Sequence, residues 1–314
     1  MLKIDTHFHP NFLFRLPKQF WVVRQSKNIW KAFSVNDLDA VIVTEHVFKS
    51  PALSYKILEE QRPEDVKTVL IPGVEASTSE WIDMIIFSED TYVYTCEEIM
   101  TTKHLTFDEM VEYVNNDDRL YGVVTHPFSP SSTAITKHRS HESILAATQA
   151  LWIIEKHNAS FIGIKRWLEN SRFAHVSFVK SFVQKLDLLE NVTENHYEKN
   201  SILFWGSDAH HPDDIWSYTV FDTGNSKSSI WETLSDHSVP RYFQIQEKRA
   251  NMLIFIVRNF FIIARERIIN VFRLYAMDAT YFPLALKKKK IAKMDALRLC
   301  FLRCKKKISW IESY

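Results

Sequence analysis

Disulfide frameworks, membrane spans and glycine-rich nucleotide loops are all missing from this 314-residue chain. It has three cysteines, Cys96, Cys300 and Cys304, too few for a disulfide scaffold. Cys300 and Cys304 share a helical face, but no further cysteine or histidine stands near them to complete a metal site. The longest apolar stretch, MLIFIVRNFFIIA at 252 to 264, is interrupted by Arg258 and falls short of the roughly 20 residues that a bilayer span needs. The opening residues lack the charged segment and apolar core of a secretory signal, so a cytoplasmic location is expected, with no transmembrane segment. No G-x-G-x-x-G or P-loop follows any strand-like segment, which leaves an open doubly wound nucleotide-binding sheet without support.

Glycine is also scarce. Of five in all, Gly73 (PGVE), Gly122 (GVVTHP) and Gly206 (GSDAH) stand beside His, Asp or Glu, where a tight turn or a close backbone approach is needed. Charge is nearly balanced at +1 but unevenly placed. Residues 281 to 314 hold ten Lys or Arg against Asp295 and Glu312, a surplus of +8, so the first 280 residues stand at −7. The balance of 46% hydrophobic to 25% charged residues is that of a globular protein, and the length allows one large α/β domain or two ordinary ones.

A recurring pattern is present: a short β-branched or aromatic run that ends on a residue able to bind metal. LKIDTHFH opens the series. AVIVT (40 to 44) leads to Glu45 and His46, TVLIPG (68 to 73) to Glu75, YGVVT (121 to 125) to His126, ALWII (150 to 154) to Glu155, and SILFW (201 to 205) to Asp208 and His210. Helical stretches are expected between them at PEDVKTV (63 to 69), 106 to 117, 141 to 149 and 177 to 190. Strands alternating with helices predict a parallel sheet covered on both sides. Polar groups at C-terminal strand ends predict a (β/α) barrel with its site on that rim. From about residue 240 the character changes to helical segments (249 to 277) and lysine runs at 287 to 290 and 305 to 307, so we divide the chain into 1–240 and 241–314. The tail fits either solvated lysines on packed helices or an arm for nucleic acid or an acidic protein partner.

On a strand, His7 and His9 point the same way, about 7 Å apart at Cα, which suits chelation of one ion. Taken alone, the pair is better explained as a surface strand. In company with His46, Glu75, His126, Asp208 and His210 it becomes one part of an imidazole and carboxylate set suited to Zn, Mn or Fe. A carboxylate such as Glu75 is able to bridge two cations, as a two-metal hydrolytic site requires.

The ordered motifs DTHFHP (5 to 10), TEH (44 to 46), PGVE (72 to 75), THP (125 to 127), IIEKHN (153 to 158) and GSDAH (206 to 210) resemble the PHP family, named for its polymerase and histidinol phosphatase members. They span about the first 210 residues. The amidohydrolase superfamily also begins with H-x-H on a barrel, but PGVE and the terminal Asp-x-His favour PHP. The resemblance implies a distorted (β/α)7 barrel, here with a helical, lysine-rich C-terminal extension, that binds two or three divalent metal ions and hydrolyses phosphoesters through a metal-bridged hydroxide. By motif, His7, His9 and Asp208 would bind one ion, Glu75 would bridge to a second held by His126, and His46 with His210 would serve a third. Asp208, His210 and Glu75 would be the catalytic residues. Two positions depart from the family. Arg15 stands where three-metal relatives carry a further histidine, and Asp83, or Met84 in a shifted alignment, replaces a second one.

Asp5, Glu45 and Glu155 are expected behind the ligands, orienting them. Arg15, His138 and Arg139 are candidates to hold the substrate phosphate, as are Lys165 and Arg166. The function expected is a phosphomonoesterase or phosphodiesterase. The alternatives are a nuclease acting on DNA or RNA ends held by the basic tail, and a metal-bearing module that mainly binds a partner.

Overall fold

The computed structural model describes residues 1–12, 19–127, 133–140, 153–158, 202–215, 217–223, 229–235 and 241–245, with scattered positions at 142–184 and 254–264. Its strands are β1 (Leu2–Phe8), β2 (Ala40–Val43), β3 (Val69–Ser77), β4 (Asp83–Ser88), β5 (Leu120–Val124), β6 (Ile153–Asn158), β7 (Ile202–Gly206), β8 (Ser217–Phe221) and β9 (Arg241–Ile245). They pair in the order β7-β6-β5-β4-β3-β2-β1-β8-β9. β1 to β3 run parallel, as do β5 to β7. β4 lies antiparallel between β3 and β5, β8 is antiparallel to β1, and β9 to β8.

The uniform parallel alternation expected from the sequence is therefore interrupted, and the reason is local. Residues 78–82 between β3 and β4 are too few for a crossover connection, so the chain must return antiparallel. That reversal places the N-terminal end of β4 on the same rim as the C-terminal ends of its neighbours. The sheet curls until β7 meets β1 and β8. Ala209, just past β7, bridges Phe8 in parallel, the His9 N–H donates to the Ala209 carbonyl at 3.0 Å, and the Thr219 hydroxyl on β8 donates to the Trp205 carbonyl at 3.1 Å. The result is a mixed, nearly closed barrel-shaped sheet.

Alternation along the strands decides what fills it. Ile4, Ile42, Ile71, Ile85, Phe87, Val123, Phe204 and Phe221 form one buried cluster inside the barrel. Each contributes about 1.5–3 kcal/mol by leaving water. The opposite strand faces carry helices. α1 (Gln19–Val35), not anticipated from the sequence, sets Val22, Ile29, Trp30 and Phe33 at helical spacing against Phe8, Val41 and Val43. α2 (Pro51–Glu60) begins with Pro51 at its first turn, and α3 (Glu97–Met100) is a single turn. α4 (Phe107–Asn115) is the helix expected at 106 to 117. Thr106 and Glu109 form a reciprocal capping box at its start, and Met110 and Val114 pack in one cluster with Val74, Met84 and Val124. α5 (Ile230–Ser235) follows β8.

PEDVKTV is not helical. Residues 64 and 65 form a turn and Val69 already belongs to β3, in keeping with the preference of β-branched Thr68 and Val69 for extended backbone. Most of 141–149 lies outside the described residues. Of 177–190, positions 177, 179 and 180–184 are helical and the remainder lies outside the description. The chain divides into Met1–Asn259 and Phe260–Tyr314, and the lysine-rich segment 281–314 lies outside the described residues. Among the described residues no helix is long and apolar enough to cross a membrane.

Candidate metal centre

One rim of the barrel gathers nearly every residue that the motifs singled out. β1 carries His7 as its penultimate residue, and His9 stands just beyond its end. β2 leads into Glu45 and His46, β3 carries Glu75 on the face shared by Ile71 and Gly73, and reversed β4 begins at Asp83. β5 delivers His126, β6 carries Glu155, and the turn after β7 presents Asp208 and His210.

Glu75 lies at the middle. Its Oε2 stands 2.9 Å from His46 Nδ1, 3.3 Å from His9 Nε2 and 3.7 Å from His7 Nε2, while Oε1 stands 3.2 Å from His126 Nε2. Asp208 Oδ1 is 3.4 Å from the Nε2 atoms of His7, His9 and His210. Three sets each bring their donor atoms within 4.8 Å of one another: His7, His9 and Glu75; Glu75, Asp83 and His126; and His9, His46 and His210. Each set is able to hold a cation.

The electrostatics call for one. Glu45, Glu75, Asp83 and Glu155 are buried and Asp208 nearly so, whereas Lys49 is the one buried ammonium among the described residues. Uncompensated buried carboxylates are costly. Histidine supplies part of the compensation. Burial pushes His7 down, but Glu155 and Asp208 outweigh it and hold His7 well above the ordinary histidine range. Burial also opposes ionisation of Glu75 and Asp208, yet His46 and His7 respectively keep these carboxylates well below their usual values. Burial lowers His126 in the same way, and Glu75 brings it up to about 9. Asp83 moves the other way, raised by burial and by neighbouring Glu75, which marks excess negative charge on that side.

The ring nitrogens give a sharper test. Glu155 Oε1 stands 3.1 Å from His7 Nδ1 and accepts its proton, so that in a neutral His7 ring the lone pair falls on Nε2. His7 Nε2 faces His9 Nε2 at 3.0 Å, a contact that needs a proton or a cation between the rings. Buried carboxylates in excess and opposed imidazole nitrogens together fit divalent cations held by mixed nitrogen and oxygen ligands.

The backbone is bent to suit. Asn11 (φ 57°), His126 (φ 28°) and Asp208 (φ 45°) occupy the left-handed region although none is glycine, and each such conformation costs on the order of 1–3 kcal/mol. Glycine is kept for close approach. A Cβ on Gly206 would lie 2.6 Å from both Glu155 Oε1 and His7 Cβ.

The three residues expected behind the ligands sit in three different ways. Glu155 receives the His7 ring N–H and, through Oε2, the His126 backbone N–H at 2.7 Å. Asp5, which burial pushes up to about 7, touches no imidazole. It accepts from the His7 and Ser207 backbone N–H groups and the Ser207 hydroxyl, and so fixes the strand that carries His7. Glu45 accepts from the Asn11 and His46 backbone N–H groups and pairs with Lys49 at 3.2 Å, with His9 Nδ1 3.6 Å away. Despite the desolvation, Lys49 holds Glu45 at about 2.

Of the phosphate-binding candidates, Arg139, His138 and Lys165 lie among the described residues. Arg139 is committed elsewhere, paired with Glu80 and Asp108 at 2.9 Å each, because its loop folds against the start of α4. His138 is exposed at the end of a 3₁₀ turn, and Lys165 is half-buried at a helical position. Arg15 and Arg166 lie outside the described residues. Sequence reasoning missed Asn11, Lys49 and Ser207. A lysine in a buried ion pair, an amide in a left-handed bend and a hydroxyl beneath Asp5 carry no periodic or motif signal, although Lys49 stands four residues after Glu45.

No protein-family model matches the chain, and no curated protein matches it. Among solved structures it is similar to PsfC from Pseudomonas syringae PB-5123, at a TM-score of 0.53 and 16% identity over 83% of this chain and 98% of that one. It also aligns with the lesion-specific endonuclease PfuEndoQ from Pyrococcus furiosus (TM-score 0.45, 13% identity, 77% of this chain). A third alignment is with endonuclease Q in complex with a 27-mer duplex substrate with an abasic lesion at the active site (TM-score 0.46, 12% identity, 74% of this chain). The chain spans 57% and 55% of those two endonuclease chains. At 16% identity the likeness to PsfC is one of fold.

Proposed function

We propose that the chain is a metal-dependent phosphoesterase of the PHP type, with the catalytic centre on the rim of the barrel-shaped sheet. The observation that carries this reading is the convergence of Glu75, Asp83, Glu155 and Asp208 with His7, His9, His46 and His126 on one rim, where His7 and His9 oppose ring nitrogens at 3.0 Å. In this reading His7, His9, Glu75 and Asp208 would hold one cation, and Glu75, Asp83 and His126 would hold another. Zn, Mn or Fe bound there would acidify water and neutralise the charge that builds on a phosphoryl group.

The remaining residues orient and exclude. Glu155 keeps the His7 proton on Nδ1, so that Nε2 faces the centre. Asp5 and Ser207 fix the β1 to β7 seam, so that His7 and Asp208 keep their spacing. Arg15 is our candidate for the phosphate oxygens that the centre does not reach, since Arg139 is already paired. Replacing Asp208 or His9 by alanine should abolish metal-dependent cleavage of p-nitrophenyl phosphate while the far-ultraviolet circular dichroism stays native. Unchanged turnover in both variants would sink the assignment.

The surplus of +8 in residues 281 to 314, against −7 in the rest, supports a second reading of the same chemistry, a nuclease whose basic tail 281–314 holds DNA or RNA.

A further inference from the structure

Lys49 is the buried cation that the proposed chemistry does not use. It stands on the 3₁₀ turn after His46, with its ammonium 2.6 Å from Asn11 Oδ1 and 3.2 Å from Glu45 Oε1. An ammonium only donates, so Asn11 Oδ1 must accept, and this fixes which end of the amide is oxygen. The NH2 end then faces His210. Asn11 Nδ2 lies 3.0 Å from the His210 carbonyl, 3.3 Å from His210 Nδ1 and 3.5 Å from the His9 carbonyl. An amide NH2 cannot accept, so an Nδ1–H on His210 would oppose it at 3.3 Å, whereas an Nδ1 lone pair suits the contact and puts the ring proton of neutral His210 on Nε2. Nε2 in turn faces an acceptor, Asp208 Oδ1, at 3.4 Å.

From this chain of contacts, and resting on the proposed metal centre, we infer that Lys49 and Asn11 set His210 as an Nε2–H donor. The set His9, His46 and His210 is then a hydrogen-bonding wall rather than a third cation site. A ring that carries its proton on Nε2 has no lone pair there to give a metal. His210 instead presents a donor to Asp208 and to a phosphoryl oxygen entering the centre. Lys49 and Asn11 are positioning residues, acting through His210. The left-handed φ of 57° at Asn11 suits the assignment, because Asn and Asp adopt that conformation more readily than other non-glycine residues.

The test uses the full chain and two readouts independent of turnover: histidine imidazole ¹⁵N spectra of the metal-free and Zn-loaded protein, and bound zinc per chain by elemental analysis with anomalous scattering. The expected result is His210 protonated at Nε2 in both states and two zinc ions, neither on His210. Asn11→Asp should reverse the relay, since a carboxylate would accept from both Lys49 and a His210 Nδ1–H. Nε2 would then be freed and the count would rise to three. Lys49→Met should leave the amide free to turn and give a mixture of His210 tautomers. His210 protonated at Nδ1 in the wild type, or a wild-type zinc ion on His210, overturns the inference. A wild type that binds no zinc overturns the metal centre instead, and the metal-free spectrum still decides the tautomer.

Discussion

Replacing Gly206 by alanine adds one methyl group at the point where β7 passes beneath the His7 and Glu155 pair. That Cβ would sit 2.6 Å from Glu155 Oε1 and 2.6 Å from His7 Cβ, whereas ordinary contacts begin at 3.4 Å, so both neighbours would have to retreat by about 0.8 Å. His7 is tied by its backbone to Asp5, and Glu155 is held by the His126 N–H at 2.7 Å, so neither is free to swing away. Overpacking of this kind costs roughly 1–3 kcal/mol, or a fall in Tm of about 2–4 °C per kcal/mol for a domain of this size. The same retreat stretches the 3.1 Å bond that fixes the His7 tautomer. Loss of such a support typically lowers metal affinity about 10–100-fold. Competition for zinc against a chromophoric chelator, run beside a thermal melt, reads both effects. Glu155→Gln, which removes the carboxylate without adding volume, should weaken zinc similarly with a smaller change in Tm. A Gly206→Ala protein with native Tm and native zinc affinity would refute the claim that glycine is required for this approach.

The acid stability of the fold should depend on Lys49. Glu45 sits at about 2, chiefly through Lys49, below an unfolded value of 4.5, so its contribution is present above pH 4.5 and is lost as pH falls toward 2. Lys49→Met should therefore move the acid-unfolding midpoint, followed by intrinsic tryptophan fluorescence, to higher pH, and an unmoved midpoint would contradict the pairing. Thr106→Ala removes the capping box of α4 and should cost about 1 kcal/mol in urea unfolding. Turnover per folded molecule should be unaffected, and a drop would mean that α4 bears on the site. Truncation after residue 280 should leave p-nitrophenyl phosphate hydrolysis intact. If the nuclease reading holds, it should lower single-stranded DNA affinity and flatten its salt dependence.

Much of the rim was legible because His, Asp and Glu are residue types able to bind metal and strands announce themselves by β-branched runs. His7, His9, His46, Glu75, His126, Glu155, Asp208 and His210 all lie on or directly after strands that the sequence marked. The reversal of β4 was not legible as geometry, because a strand's direction depends on the length of its connection and leaves no trace in its own residues. Yet it is this reversal that puts Asp83 beside Glu75 and His126. The pairing of Arg139 with Glu80 and Asp108 was not legible, because an arginine in a polar loop looks the same in sequence whichever anion it meets. Asn11 and Lys49 were invisible because their roles arise from burial and from each other.

Phosphoester hydrolysis followed through chelation and metal return tests the central claim most directly. The full chain, assayed on p-nitrophenyl phosphate and its bis-ester, should lose turnover after dialysis against a chelator and recover it with added Mn or Zn, and the His9→Ala protein should recover none. Turnover that survives complete chelation, or that returns equally in His9→Ala, would contradict it.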